Sequence, residues 1–178
     1  MQITSKALQA VLLAAAKNDI RTYLNAVLIN SKHIVATDGA RMHVLAHGAD
    51  WQHGPILVPR ESVELALKSK LAHIVITPNL IGAVNYTAVV GIFPDYKCGM
   101  PKLPATADIG PVHTQCNPDY LKDAVKAVGL ATQNPRADVS LTSVGGTLVW
   151  CDGHFMAVVM PLRDTEKYGK IARLVPIA

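Results

Sequence analysis

The chain of 178 residues can hold one ordinary domain or two small ones, and 50% hydrophobic with 17% charged residues is a compact globular composition. The net charge of +4 permits an anionic partner without requiring one. Three widely spaced cysteines argue against a disulfide framework and favour a reducing, cytoplasmic location. The apolar N-terminal run has helical periodicity after polar residues, so we expect neither a signal peptide nor a membrane span.

The first predicted elements are one helix followed by three strands. Residues 4–17 carry an apolar stripe, and Thr4 can cap this helix. The β-rich run 22–30 follows. Residues 33–47 then predict two strands around Asp38-Gly39, because Asp-Gly between two apolar runs is a strong hairpin signal.

The same order recurs twice along the chain. The second unit has a helix over 59–70 and strands over 72–79, 80–87 and 88–93. The third begins at Pro118, with Asn117 as its cap, and its strands follow over 137–144 and on both sides of Asp152-Gly153. Since each hairpin lies at the same distance from its helix start in the first and third units, the pattern indicates an internal repeat.

These units predict a domain organisation. Residues 1–104 are expected to form a complete two-helix domain, 105–110 a linker, 111–163 a half-domain and 164–178 a C-terminal tail. The first two units can pair with each other, which leaves the third without an internal mate. Its open sheet edge and apolar helix stripe therefore predict association with another copy of the chain.

Four stretches carry a resemblance to a known family. They are DIRTYLNAVLI with HIVATDGARMHVLAHG, then ILVPRESVELALK, FPDYKCGMP and FMAVVMPLR. In this order they resemble the bacterial sliding clamp, the β subunit of DNA polymerase III. The resemblance implies an α+β DNA-clamp fold, built from helix-plus-three-strand half-units with antiparallel sheets and helices on one face.

The chain also departs from that family. The family has three domains, whereas this sequence resembles one whole domain and the second half of another. Family members end at the MPLR-like motif, whereas here residues 164–178 follow it. The chain therefore resembles a shortened clamp, of the kind that a phage or mobile element would carry.

Basic residues on or beside the three helices are the first candidate site. Lys122 and Lys126 form an i, i+4 like-charge pair whose repulsion a phosphate backbone would relieve. The resemblance implies weak, salt-sensitive contact with duplex DNA without base reading. The alternative is a solvated helix face balanced by acidic neighbours. The candidate DNA-binding residues are Lys6, Lys17, Arg60, Lys68, Lys70, Lys122 and Lys126.

The second candidate site is a hydrophobic groove, which in the family receives a short peptide from polymerases and other partners. Apolar side chains with adaptable methionines suit such a groove, and Arg41 and Arg163 can hold a peptide carboxylate. The alternative is ordinary hairpin and strand core. Arg41→Ala is expected to weaken peptide capture and leave the fold intact. The matching residues are Leu24, Thr37, Gly39, Arg41, Met42, Pro101, Val158, Met160, Pro161, Leu162 and Arg163.

Catalytic signatures are missing from the sequence. The seven histidines are scattered without zinc-ligand spacing, and Asp38 and Asp152 are better explained as turn residues. We therefore expect no enzyme activity, metal or cofactor. The predicted function is that of a clamp-like processivity factor.

Its expected partners are duplex DNA, a DNA polymerase or other clamp-binding peptide, and further copies in a dimer or tetrameric ring. The alternative is a protein-interaction module that binds or competes with a replication clamp, or with its partners, without encircling DNA.

Overall fold

The computed structural model describes residues 1–102, 116–134, 140–144 and 147–162. The predicted linker and tail lie outside these residues. The helices are α1 (Ser5–Leu12), α2 (Arg60–Lys68), α3 (Tyr96–Gly99) and α4 (Pro118–Ala131). The strands are β1 (Gln2–Thr4), β2 (Ala26–Ile29), β3 (His33–Thr37), β4 (Arg41–Ala46), β5 (Ile56–Pro59), β6 (His73–Thr77), β7 (Leu80–Ile81), β8 (Val84–Asn85), β9 (Ser140–Val144), β10 (Thr147–Asp152) and β11 (Phe155–Val159).

The predicted helix caps are present. The Thr4 side chain accepts a hydrogen bond from the Ala7 N–H at the start of α1, and Asn117 accepts one from the Asp119 N–H at the start of α4. Helix α1 ends at Leu12, earlier than the sequence predicts.

The strands form two antiparallel sheets. The larger has the order β5-β2-β3-β4-β11-β10-β9, and the smaller has the order β1-β6-β7-β8. Strand β11 pairs with β4, so that Val158 lies opposite Met42 and Phe155 opposite Leu45. The first and third units thus share one continuous sheet.

The expectation that the third unit has no internal mate is therefore wrong. Helix α4 also packs beside α1. Composition cannot distinguish the possible pairings, because an apolar edge strand can add to any other exposed edge. The strands of the second unit instead join β1.

The strands predicted over 80–93 are mostly not formed. Only the two-residue strands β7 and β8 are present, joined through Gly82 at φ +60°. Residues 88–93 contain no strand and pass beside β5, where the Val89 N–H donates to the Leu57 carbonyl oxygen at 2.9 Å. The short helix α3 follows, which the sequence analysis did not predict.

Side chains on both faces of the central strands β2, β3 and β4 are buried. One core contains residues of α1, α2, α4 and both sheets. A second apolar cluster lies on the opposite side of the sheet, which we call the outer face. It includes Met42, Leu57, Tyr96 and Val158. Because side chains alternate along a strand, Arg41 and His43 face the helices whereas Met42 faces outward. The α+β class, the antiparallel sheets and the position of α1, α2 and α4 on one face agree with the prediction, whereas the short helix α3 lies over the outer face.

Candidate peptide groove and helix face

A cavity of about 170 Å³ opens on the outer face where β4 meets β11. We call it the junction groove. Met42 from β4 and Val158 from β11 form its apolar floor, since the two residues are paired across the strands. Predicted residues from both parts of the chain line it: Leu24, Thr37, Gly39, Arg41, Met42, Val158 and Met160.

The Asp38-Gly39 hairpin shapes one end of this groove. Thr37 Oγ1 donates to the Arg41 carbonyl oxygen and accepts from the Gly39 N–H at 3.0 Å. Asp38 Oδ1 accepts from the N–H groups of Ala40 and Arg41 at 2.9 and 3.0 Å. Gly39 has φ +94°, which residues with a Cβ rarely adopt. The turn is therefore fixed by its own side chains and by glycine.

The Arg41 guanidinium is engaged on the helix side of the sheet. It donates from Nε to Asp38 Oδ2 at 2.9 Å and from a terminal nitrogen to Asp123 of α4. It also lies over the Tyr120 ring, 4.4 Å from the ring centroid. Only 12% of the Arg41 side chain is exposed. Arg41 thus lines the groove but joins the hairpin to α4 with its charged end.

Other predicted groove residues lie elsewhere. Pro101, Pro161 and Leu162 are described but do not line this cavity, and Leu162 is 46% exposed. Arg163 lies outside the described residues. Their assignment to a peptide site stays a prediction.

Five lining residues were missed by the sequence analysis. One lies in the segment before β2 and four in the FPDYKCGMP stretch: Arg21, Pro94, Asp95, Tyr96 and Gly99. The available signal was Asp95, whose carboxylate caps α3 by accepting from the Lys97 N–H at 3.1 Å. Asp95 could therefore have predicted where α3 begins. The position of α3 over the sheet, however, depends on the tertiary structure.

The six candidate lysines are all exposed. Lys6 and Lys70 border one depression with Gln133, which follows α4, so α1 and the C-terminal ends of α2 and α4 meet there. We call the exposed surface of α1, α2 and α4 and of the residues that follow them, which carries the six lysines, the helix face. The four ion pairs among the described residues all use arginine, and none of these lysines has a carboxylate partner there. Two helix acids, Glu64 and Asp123, are neutralised by arginines.

Arg60 differs from these lysines. Its Nε donates to Glu64 Oε1 at 2.8 Å, and one terminal nitrogen donates to the carbonyl oxygens of Leu12 and Ala15 at 3.3 and 2.7 Å. An arginine that satisfies terminal helix carbonyls stabilises the helix end. Arg60 therefore already has protein partners, and its contact with DNA stays a prediction.

A buried histidine lies under the β4–β11 junction. His43 is 0% exposed, and its Nδ1 lies 2.7 Å from the Ala10 carbonyl oxygen. Because a carbonyl only accepts, Nδ1 carries the proton and Nε2 is left without a partner. Burial, followed by the positive charge of Arg41, lowers the pKa of His43 to about 4.

Neither a membrane-spanning helix nor a metal-binding cluster is found in the described part of the chain. No helix there has the length and hydropathy needed to cross a bilayer. No group of three or more metal-ligating side chains is found in the same residues.

The first and third half-units are joined through one continuous sheet, and α1, α2 and α4 lie on one side of it. This arrangement is a DNA-clamp fold. Solved structures similar to this chain include DNA polymerase III β sliding clamps. A sliding clamp from Pseudomonas aeruginosa with a ligand has 19% sequence identity and a TM-score of 0.68, and the match covers 92% of this chain and 66% of that one. The β sliding clamp of C. crescentus has 15% sequence identity and a TM-score of 0.64, and the match covers 92% of this chain and 66% of that one.

A third similar structure, described as a putative DNA polymerase III β subunit from Eubacterium rectale, has 14% identity and a TM-score of 0.62, with 91% of this chain and 64% of that one covered. The chain thus spans about two thirds of the length of these structures. No protein-family model and no curated protein sequence matches the chain. The similarities establish the fold.

Proposed function

We propose that the protein is a non-catalytic, clamp-like processivity factor that contacts duplex DNA through its helix face and binds replication proteins through the junction groove. The observation that carries this proposal is the groove itself, which is lined by residues of both the first and third units at their shared strands. The clamp fold and the unpaired lysines of the helix face add support.

The groove suits a short apolar peptide. Its floor is apolar, and Met160 at its edge is 44% exposed, so a ligand can cover that side chain. Methionine adapts to ligands of different shape because its side chain is unbranched and flexible. Griselimycin, which is bound to a solved sliding clamp of P. aeruginosa, is a second probe besides a polymerase peptide.

Met160→Ala is expected to weaken binding of a fluorescent clamp-binding peptide from a bacterial DNA polymerase by about tenfold, since it removes apolar contact of about 1–1.5 kcal/mol. Fluorescence anisotropy measures the change. Leu65→Ala is the matched control, because Leu65 is 50% exposed on α2 and does not line the groove. Equal binding by the parent and Met160→Ala would remove this groove as the peptide site.

The DNA proposal predicts a salt dependence. Lys122→Gln/Lys126→Gln should reduce the slope of log affinity against log salt by about 2 for non-specific duplex DNA, because each phosphate contact contributes about 0.9. Lys32→Gln/Lys97→Gln removes the same charge from the outer face and should leave the slope unchanged. A slope that both pairs lower equally would contradict the helix face as the particular site of DNA contact.

A separate experiment with circular DNA tests whether the protein encircles the duplex. A clamp that encircles DNA should be retained on closed circles at moderate salt and lost once the circle is linearised. If the protein captures the peptide but is retained on neither form, the interaction module that does not encircle DNA becomes the better description.

A further inference from the structure

A second, larger cavity lies beside the junction groove on the outer face. Its volume is about 710 Å³, and it extends over β2 and β5. We call it the basic cleft. Pro94, Asp95 and Tyr96 line both cavities, so these three residues form a ridge between them. An extended chain that fills the groove can therefore continue across this ridge into the cleft.

The ridge is held firmly in place. Tyr96 is 8% exposed, and its hydroxyl accepts from Asn30 Nδ2 at 3.1 Å and lies 3.0 Å from His33 Nδ1. The His33 and Tyr96 rings are also packed edge to face, with centroids 5.8 Å apart. The ridge is thus tied to the β2–β3 hairpin.

The cleft is lined mainly by cationic and neutral groups. Its basic lining residues are Lys32, His33, His53 and Lys97. Asp95 is the one acidic residue among its lining residues, and both of its carboxylate oxygens accept bonds, from the Lys97 N–H and the Cys98 thiol. Neither lysine forms an ion pair with another described residue.

The lowered pKa of His33 is consistent with this positive charge. Burial lowers its pKa first, and the positive charges of His47, Lys97 and Lys32 lower it further. A site at which cations repel one another is stabilised when an anion enters.

The apolar residues of the basic cleft indicate which class of anion fits it. Leu57 and Phe93 border the cleft, and Ile92 at its edge is 90% exposed. A free phosphate would leave these surfaces uncovered, whereas a peptide offers carboxylates and apolar side chains together. Duplex DNA fits less well, because the cleft lies on the opposite side of the sheet from the helix face.

We infer that the basic cleft binds an acidic flank of the same partner peptide whose apolar anchor occupies the junction groove. This inference rests on the proposed peptide-binding function and specifies its partner: a segment with acidic residues next to the apolar anchor. The groove supplies apolar contact, and the cleft supplies charge complementarity.

The test compares two fluorescent peptides that carry the same polymerase-derived clamp-binding segment. One has a run of aspartates at an end and the other a run of asparagines, and both ends are tried. For the parent protein the aspartates should tighten binding threefold to tenfold, as expected of about two exposed ion pairs. Lys32→Gln/Lys97→Gln should abolish the gain, whereas Lys122→Gln/Lys126→Gln, with the same charge change, should retain it.

The outcomes separate this inference from the proposed function. If the asparagine peptide binds but aspartates add nothing, or add as much in the cleft variant, the cleft assignment is overturned and the groove stands. If neither peptide binds the parent, both proposals fail. If the cleft variant loses duplex DNA binding as strongly as the helix-face variant, the cleft contacts nucleic acid instead.

Discussion

Arg41→Ala is expected to lower the free energy of unfolding by about 3 kcal/mol, because removing one partner of a largely buried ion-pair network leaves the other charges uncompensated. Asp38 and Asp123 would both lose the guanidinium, and the Tyr120 ring would lose its cation. Urea unfolding followed by circular dichroism measures the loss. Hydrogen exchange should increase first in α4, since Arg41 joins that helix to the hairpin.

Arg21→Ala is the matched control for this variant. Arg21 also lines the junction groove, but its side chain is 50% exposed and its ion pair with Asp19 is at the surface. Such pairs contribute at most about 1 kcal/mol. Equal stability losses for the two variants would contradict a special role for Arg41. The structure thus replaces the sequence-based expectation that Arg41→Ala leaves the fold intact.

Acid is expected to destabilise the protein through His43. The unfolded side chain has its ordinary pKa of 6.5, whereas the folded one has a pKa of about 4, so between these values the unfolded state binds more protons. Stability from this group is fully present above pH 6.5 and is lost as the pH falls towards 4, by about 3 kcal/mol for a shift of this size.

Unfolding free energies of the parent and of His43→Gln, measured from pH 7 to pH 4, check this dependence. The difference between the two proteins should shrink as the pH falls, whereas the exposed His73→Gln control should follow the parent. A ring titration of His43 by NMR near pH 6.5 would contradict the prediction without relying on the stability of the variant.

Local sequence signals predicted the parts of the site that a few neighbouring residues fix. Asp38-Gly39 specified its hairpin because the Asp side chain bonds its own turn and Gly accepts a positive φ. Thr4 and Asn117 specified helix starts for the same local reason. Resemblance to clamps then assigned Met42, Val158 and Met160 to a peptide groove. All three line one cavity, and its binding of a peptide stays a prediction.

Sequence signals were weaker for features that depend on contacts between residues far apart along the chain. Residues 88–93 are apolar enough for a strand, yet they pass along the outer face without sheet pairing. Tyr96 carries no local sign that Asn30 and His33 will hold its hydroxyl, because these residues are far away along the chain.

The sequence by itself determined the helix caps of α1 and α4, the Asp38-Gly39 and Asp152-Gly153 hairpins and the apolar faces that require burial, since each of these follows from interactions within a few residues. Only the tertiary structure decided that β4 pairs with β11, that the Arg41 guanidinium contacts α4, and that Pro94, Asp95 and Tyr96 separate the groove from the basic cleft. The physical reason is that an apolar strand edge or a long charged side chain has several acceptable partners. Which partner it takes depends on the packing of the whole chain.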